Sequence, residues 1–316
     1  MGTESGRAIG RRAVLATLAA ALAAPATAAR QAGRDLDGIW THASYTNLER
    51  PPELKALAMT AAEVEAYEAP RRAQNGMPPS KPGEVGQAES EFNERGDGVM
   101  RIRGEARSSL IIDPADGHVP FRPEAVARIG LDRPPTSIPR DGPEQRALTE
   151  RCLSSAASGA PMIPGPDASV FQFVQTPGAL AIVCEKYHEV RIIPIDTPLP
   201  PRLLPSWPGT SAGRWEGDTL IVETAGFRPG VTDRGQRLVV SEATRVVERF
   251  TRTGPAEIRY VFDVTDPVLF SRPWRGEAIF RPAKGLIYEY ACHEGNYALA
   301  DILAIARQEE AAKPAP

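Results

Sequence analysis

The feature that most constrains the fold is a run of short apolar segments between residues 169 and 292, separated by turn sequences. The links at 176–178, 216–218 and 253–255 combine Gly with Pro or Asp, as hairpin turns do. Parallel strands need crossover connections of a dozen or more residues, usually helical, so we expect antiparallel pairing. The predicted strands are 169–175, 180–187, 189–195, 213–216, 219–224, 244–253, 257–264, 275–281 and 286–292.

These strands predict a mainly β fold, an antiparallel meander that forms a lipocalin-like barrel or a strongly curved sheet. The Gly-x-Trp pattern of Gly38 and Trp40 is similar to the first strand of lipocalins. The 31 prolines of the chain interrupt helix interiors and central strands, which excludes long helical bundles and coiled coils. Many of them lie at 50–82 and 114–167, which predicts long proline-rich loops over the sheet.

Helices are predicted only outside the main run of strands. Thr60 is a good N-cap for a helix that reaches Tyr67, and a short helix fits residues 144–153. A C-terminal helix at 297–310 has one apolar stripe, which we expect to pack across the sheet or to close one mouth of the barrel. The sequence therefore predicts a single β-rich domain over 29–316. Its parts are a helix and loop segment (29–107), a β core (108–296) that begins with a strand at 109–113, and the C-terminal helix.

Residues 1–28 have the pattern of an export signal. Three arginines precede an apolar run at 13–24, and Ala-Thr-Ala at 26–28 is a small-x-small cleavage site. The pair Arg11-Arg12 resembles a twin-arginine signal, and an ordinary secretory signal is the alternative. Cleavage would remove three arginines and one glutamate, changing the formal net charge from −3 to −5. We therefore expect a periplasmic protein with no membrane span after cleavage.

Three cysteines, Cys152, Cys184 and Cys292, are too few for a disulfide scaffold or a four-cysteine zinc site. In an oxidising compartment they form either one disulfide with a spare thiol or three buried thiols. The chain has no basic run, which argues against a nucleic-acid partner. A small-molecule ligand is the expected partner, and the sequence leaves the oligomeric state open.

The first polar cluster, residues 184–191, lies within the predicted strands. Alternation puts Glu185 and Arg191 on one face and His188 on the other. If Glu185 and Arg191 face a barrel interior, they are buried charges that must pair or meet a polar ligand. The alternative is a solvated outer face with a surface ion pair.

The second polar cluster, residues 288–297, ends the last predicted strand. Side chains at strand ends ring the mouth of a barrel, where ligands enter. His293 and Glu294 could then supply a general acid and base there, and Tyr290 a hydrogen bond. Alternatively, Asn296 and Glu294 cap the C-terminal helix.

A pocket for an apolar ligand could be lined by aromatic side chains of the predicted strands, although core packing is the commoner role of a single aromatic residue. No cofactor is predicted, because dinucleotide and P-loop motifs are absent from the sequence. A divalent metal held by His188 or His293 with nearby glutamates is the alternative. The candidate substrate-binding residues are Trp215, Asn296, Tyr288, Trp274 and Phe250.

Several longer segments of the chain form a distinctive set. They are RSSLIIDPADG at 107–117, GRWEGDTLIVET at 213–224 and YEYACHEGN at 288–296, with RIIPID, ERF and RPW at 191–196, 248–250 and 272–274. Together they resemble a family of exported bacterial proteins of largely unassigned function. The family pattern continues with an Asp-Gly-Arg-His-like stretch where this chain has Asp196-Thr-Pro-Leu-Pro. The resemblance covers most of residues 100–300 and implies export and the fold.

The leading functional hypothesis is a periplasmic β-barrel that takes up a small apolar or aromatic molecule and acts on it by cofactor-independent acid–base chemistry, as a lyase, isomerase or hydrolase. His188 or His293 would move the proton, and Glu185 or Glu294 would assist. Arg191 would bind an anionic group or a developing oxyanion. A non-catalytic lipocalin-like carrier and a structural envelope protein are the alternatives.

Overall fold

The computed structural model describes residues 33–75, 96–130, 139–154, 159–165, 169–233 and 238–312. The predicted export signal lies outside this part of the chain. The helices are α1 (Ala61–Asn75), α2 (Pro123–Ile129) and α3 (Ala298–Ala311), with 3-10 turns at Pro143–Gln145 and Lys186–His188. The strands are β1 (Gly38–Thr41), β2 (Arg101–Ile102), β3 (Glu105–Ala106), β4 (Ile111–Asp113), β5 (Val170–Thr176), β6 (Ala179–Cys184), β7 (Val190–Pro194), β8 (Thr210–Glu216), β9 (Thr219–Ala225), β10 (Gly230–Asp233), β11 (Leu238–Val240), β12 (Arg245–Gly254), β13 (Glu257–Thr265) and β14 (Trp274–Pro282).

Ten strands form one antiparallel sheet. Nine of them follow the order β7-β6-β5-β1-β14-β13-β12-β9-β8, and β4 pairs with β14 beside this path. Its two end strands approach each other through a parallel bridge between Ile195 and Gly213, and Asp196 N donates to Gly213 O at 2.8 Å. The sheet is therefore nearly closed into a barrel, with β7 and β8 at the seam. This confirms the mainly β, antiparallel fold predicted from the short hairpin links.

The interior of the barrel is aromatic. Strand alternation turns every second side chain inward, so Phe250 and Tyr260 pair across β12 and β13 and are wholly buried. Gly276 on β14 allows the ring of Phe262 to lie against its backbone, since a Cβ there would come within 2.1 Å of the ring. The buried aromatic side chains of this core are Trp40, Phe171, Phe173, Phe227, Phe250, Tyr260, Phe262, Phe270, Trp274 and Phe280.

Chain segments cover both ends of the barrel. At one end Leu36 is wholly buried, its N–H donates to Gln175 Oε1 and its carbonyl accepts from the Trp40 indole. At the other end residues 159–165 lie over the strands, with Met162 wholly buried and its N–H donating to Tyr260 Oη at 2.8 Å. Leu36 and Met162 therefore belong to the same buried core as the strands.

Helix α1 packs outside the barrel on a smaller apolar core. Thr60 and Glu63 form a capping box: Glu63 Oε2 accepts from the Thr60 N–H, and Thr60 Oγ1 accepts from the Glu63 N–H. The helix predicted from Thr60 is confirmed and continues beyond Tyr67 to Asn75. Its core consists of Tyr45, Leu54, Val64, Tyr67, Val99 and Ala106.

The prediction of a ninth strand at 286–292 is wrong: these residues are irregular, and Leu286 and Tyr288 are exposed. The physical reason is that β14 already pairs with β13 and β1, so a following segment finds no strand edge to join. Residues 144–153, predicted as a helix, form only a 3-10 turn followed by irregular turns. Helix α2 and the small sheet of β10 and β11 were not predicted.

Helix α3 confirms the predicted C-terminal helix. Its Arg307 donates to the carbonyls of Arg140 and Asp141, and Arg140 forms an ion pair with Glu309 at 2.5 Å. These contacts attach the helix to the irregular segment at 139–154. Within the described residues, no helix combines the length and apolar character needed to cross a membrane.

Candidate functional site

A buried ion pair joins two walls of the barrel. Arg191 on β7 and Glu248 on β12 are 3% and 0% exposed. Their contact is two-pronged, with Nη2–Oε2 at 2.5 Å and Nη1–Oε1 at 3.1 Å. Tyr260 on β13 donates its hydroxyl to Glu248 Oε1 at 2.8 Å. A buried pair of this kind depends on both partners, because either charge alone would be left without compensation.

Arg191 also bridges the barrel seam. Its Nη2 lies 3.3 Å from both Ser211 Oγ on β8 and Thr224 Oγ1 on β9. Its Nη1 lies 3.5 Å from the carbonyl of Gly159 in the covering segment. One guanidinium therefore connects β7 to three other strands at the point where the backbone ladder is thinnest.

The group formed by Arg191, Glu248 and Tyr260 carries no net charge. Burial alone would lower the pKa of Arg191, but the neighbouring Glu248 carboxylate raises it above its ordinary value. Burial, followed by the charge of Glu248, raises the pKa of Tyr260 well above its ordinary value. At neutral pH the cluster thus consists of a guanidinium, a carboxylate and an un-ionised phenol.

His42 is the second polar group of the interior. It is 1% exposed, two residues beyond Trp40, and its ring stacks on Phe171 and meets the edge of Phe280, both at 4.9 Å between centroids. Neither ring nitrogen has a hydrogen-bond partner among the residues that the structure describes. Burial lowers the pKa of His42 to about 3, so the imidazole is neutral at physiological pH.

His42 and the ion pair are connected through Phe280. Phe280 contacts both the His42 ring and the Tyr260 ring, at 4.9 Å and 5.6 Å. Within the described chain, Nε of Arg191 also lacks a hydrogen-bond partner. We call the group of His42, Arg191, Glu248 and Tyr260 the interior site. Buried polar atoms are normally paired, and the described residues include five exceptions: both ring nitrogens of His42, Nε of Arg107, Nε of Arg191 and Nε1 of Trp274.

An acid-sensitivity prediction follows from His42. Its pKa is about 3 in the folded state and about 6.5 when exposed. Between pH 6.5 and pH 3 the unfolded chain therefore binds one more proton than the folded chain. The contribution of His42 to the free energy of unfolding is fully present above pH 6.5. It is lost as the pH falls towards 3, by up to about 1.4 kcal/mol per pH unit. Between pH 7 and pH 4.5, urea unfolding should show the wild type losing about 2–3 kcal/mol more than His42→Phe. Identical pH profiles of the two proteins would contradict the burial of a neutral His42.

The structure separates the residues of the first polar cluster. Strand β6 ends at Cys184 and a 3-10 turn follows, in which Tyr187 has a φ of 62°. The predicted continuous strand at 180–187, with Glu185 and Arg191 on one face, is therefore wrong. Arg191 is buried in the barrel, while Glu185 lies in the turn and its Oε2 accepts from the Tyr288 N–H at 3.1 Å. The side chain of His188 lies outside the described residues.

The two polar clusters do meet, at this turn. Lys186 Nζ lies 4.4 Å from the centre of the Tyr290 ring, and the Tyr187 and Tyr290 rings are 5.1 Å apart. His293 and Glu294 are exposed in the turn before α3. Their predicted acid–base roles stay predictions.

Asn296 acts in attaching the C-terminal helix. Its Oδ1 accepts from the Leu299 N–H at 3.4 Å, in the manner of a helix cap, and its Nδ2 donates to the Glu150 carbonyl at 2.7 Å. This is the capping geometry that the sequence offered as the alternative to a binding role.

The other candidate binding residues lie in three different places. Phe250 and Trp274 are buried in the aromatic core, against Tyr260 and Phe262 respectively. Trp215 is half-buried near the end covered by residues 33–37, with the Arg34 guanidinium 5.5 Å from its ring centre. Tyr288 is 68% exposed on the outer surface.

The cysteines form one disulfide and one spare thiol. Cys152 and Cys292 are joined, which links the segment at 139–154 to the chain before α3. Cys184 is buried in the barrel core, and burial raises the pKa of its thiol to about 12. A protonated, buried thiol is a poor nucleophile.

The sequence interpretation did not identify His42, Tyr260 or the partner of Arg191. The alternation of side chains along a strand could have identified two of them. His42 is two residues from Trp40, and Glu248 is two residues from Phe250, so His42 and Glu248 point inward like these aromatic residues. No group of three or more His, Cys, Asp and Glu side chains arranged to hold a metal ion occurs in the described ranges. Comparisons with protein-family models, with curated proteins and with solved structures returned no match.

Proposed function

We propose that this protein binds a small apolar or aromatic molecule inside the barrel. The observation that carries the proposal is the barrel, an antiparallel sheet that is nearly closed between β7 and β8. Small closed barrels include those that hold one small ligand in their interior.

The surroundings of His42 support an aromatic ligand. Phe171 and Phe280 flank the imidazole, and further rings of the core continue from them. Barrels of about eight strands have interiors that either fill with side chains or hold one small ligand. Ligand sites are mostly apolar with a few placed polar groups, which describes an aromatic interior containing one imidazole and one neutralised ion pair.

The side chains of the interior support the carriage of a ligand better than they support catalysis. An imidazole whose pKa is about 3 is a weak base at neutral pH, where a general base works best with a pKa near the working pH. Both oxygens of Glu248 already accept hydrogen bonds from Arg191 and Tyr260. Both observations favour binding of a ligand over catalysis.

Periplasmic export, suggested by residues 1–28, belongs to the same proposal. The Cys152–Cys292 disulfide supports it, because disulfides persist in oxidising compartments.

Calorimetric titration with naphthalene tests the proposed function, with the protein in the syringe because the probe dissolves sparingly. We expect a dissociation constant below about 100 μM, equivalent to about 0.5 kcal/mol per heavy atom of the probe. Tyr288→Ala and Tyr297→Ala remove the exposed rings of the C-terminal segment and should leave this constant unchanged. Absence of binding to the wild type, or loss of binding in these surface variants, would contradict a ligand site inside the barrel.

A further inference from the structure

The outer face of β5, β6 and β7 carries a block of uncharged side chains. Strand alternation turns every second residue of these strands outward, and the pairing registers align the outward residues in three rows across the strands. None of these residues is charged, and most are apolar. We call the block the uncharged face. Its rows are Gln172, Val183 and Val190; Val174, Ala181 and Ile192; and Thr176, Ala179 and Pro194.

Other parts of the outer surface of the barrel are charged. Across β8 and β9, Arg214 forms an ion pair with Glu223. Across β12, β13 and β14, Arg249 and Arg275 both form ion pairs with Asp263. Single exposed apolar residues are ordinary, but a contiguous block without charge has the composition of the centre of a protein interface.

The uncharged face has a ridge on either side of a groove. On β7, Ile192 and Val190 are 57% and 45% exposed, and on β5 Val174 is 41% exposed. Between them β6 presents Ala181, which has only a methyl group and is half-buried. The middle row is therefore large, small and large across the three strands. Because ridge and groove lie on the same face, a two-fold axis can place Ile192 of each copy over Ala181 of the other.

The absence of charge decides between possible partners. A partner that placed a charged side chain against this face would bury a charge without a counter-charge, which is costly. The charged outer surfaces of β8, β9 and β12–β14 therefore do not fit it, whereas the same face of a second copy does. Surfaces that bind membranes carry Lys or Arg beside aromatic residues, and the uncharged face has neither. Apolar sheet faces pack on one another about 10 Å apart.

The size of the face sets the expected strength of the contact. With strands about 4.8 Å apart and residues about 3.4 Å apart along each strand, three rows of three residues cover roughly 300 Å². A standard interface buries about 800 Å² on each partner and has a charge-poor centre within a polar rim. The uncharged face is large enough for such a centre but not for a whole interface. We therefore expect a reversible dimer rather than an obligate one.

We propose that two copies of this chain associate through their uncharged faces to form a closed pair with a two-fold axis. The proposal goes beyond the function proposed above and does not depend on it, because the face lies outside the barrel. Naphthalene binding and self-association are therefore measured separately, and either can fail without the other.

Sedimentation velocity of the purified protein at pH 7 tests the proposal. The wild type should show a monomer–dimer equilibrium with a dissociation constant of about 1–100 μM. Val174→Glu and Ile192→Glu each place a carboxylate in the centre of the contact, once from each copy, and should raise this constant at least about tenfold. The two positions are exposed and lie on different strands, so poor folding of one variant leaves the other as the test. Val268→Glu, at a valine of matching exposure (43%) between β13 and β14, should leave the constant unchanged.

Four results would overturn the proposal. The first is a wild type that stays monomeric up to about 300 μM, above the expected range of the dissociation constant. The second is a dimer that persists unchanged in both face variants, or that Val268→Glu weakens equally. The third is growth beyond the dimer, which contradicts a closed pair. The fourth is a monomeric wild type that sediments with phosphatidylglycerol vesicles while Ile192→Glu does not, which would assign the face to a lipid surface.

Discussion

Arg191→Ala should lower the free energy of unfolding by about 3–5 kcal/mol, because it leaves the buried Glu248 carboxylate without a counter-charge. The substitution also removes the guanidinium contacts with Ser211 and Thr224 across the seam between β7 and β8. Urea unfolding at pH 7, followed by tryptophan fluorescence, measures the loss.

Two further variants separate the ion pair from a general effect of losing an arginine. Arg191→Met combined with Glu248→Leu removes both charges and should regain most of the lost stability, since apolar replacements of a buried pair are often neutral or stabilising. Arg214→Ala removes an arginine that pairs with Glu216 and Glu223 on the surface and should cost less than about 1 kcal/mol. A loss below 1 kcal/mol in Arg191→Ala would contradict the role of the pair in closing the barrel.

Removal of the disulfide is the other change with a large expected effect. Cys152 and Cys292 are 140 residues apart in the chain, so their bond constrains a long loop in the unfolded state. The chain-entropy relation gives about 5 kcal/mol for a loop of this length. The double variant with Cys152→Ser and Cys292→Ser should lose about 5 kcal/mol of unfolding free energy. This loss lowers the urea concentration at the midpoint of unfolding, measured at the same pH and temperature as for the wild type.

Cys184→Ala provides the control for the disulfide experiment. It removes the buried thiol and keeps the disulfide, so its urea midpoint should fall on addition of a reductant by as much as that of the wild type. The double serine variant should not respond to the reductant. Equal stability of the oxidised and reduced wild-type protein would show that the bond contributes nothing to the free energy of unfolding.

The sequence was informative where local chemistry decides the structure. Hairpin links and alternating apolar residues predict most strands of the barrel, and Thr60 with Glu63 marks the start of α1. The prediction at 286–292 failed because strand-like composition does not reveal whether a sheet edge is available. Whether an edge is available depends on the pairing of β1 with β14 and with β5, which brings together residues far apart in the chain.

The candidate site was harder to predict for the same reason. Arg191 was identified, but its partner Glu248 is 57 residues away, and only closure of the barrel brings the two together. The polar turn at 185–188 contains the more conspicuous residues, yet it lies outside the β strands. His42 follows Trp40-Thr41 and precedes Ala43-Ser44, a stretch with no recognisable motif. Its burial becomes evident only when Phe171 and Phe280 pack against its ring.

The nitrogen-15 resonances of the His42 ring test ligand binding inside the barrel, because His42 is buried among the aromatic side chains of the interior. The measurement uses histidine-labelled full-length protein titrated with naphthalene at pH 7, with His42→Gln identifying the signal. We predict that one or both His42 ring resonances shift and saturate at the dissociation constant found by calorimetry. His42 resonances that stay fixed while naphthalene saturates the protein would show that the ligand binds elsewhere, and would contradict a binding site inside the barrel.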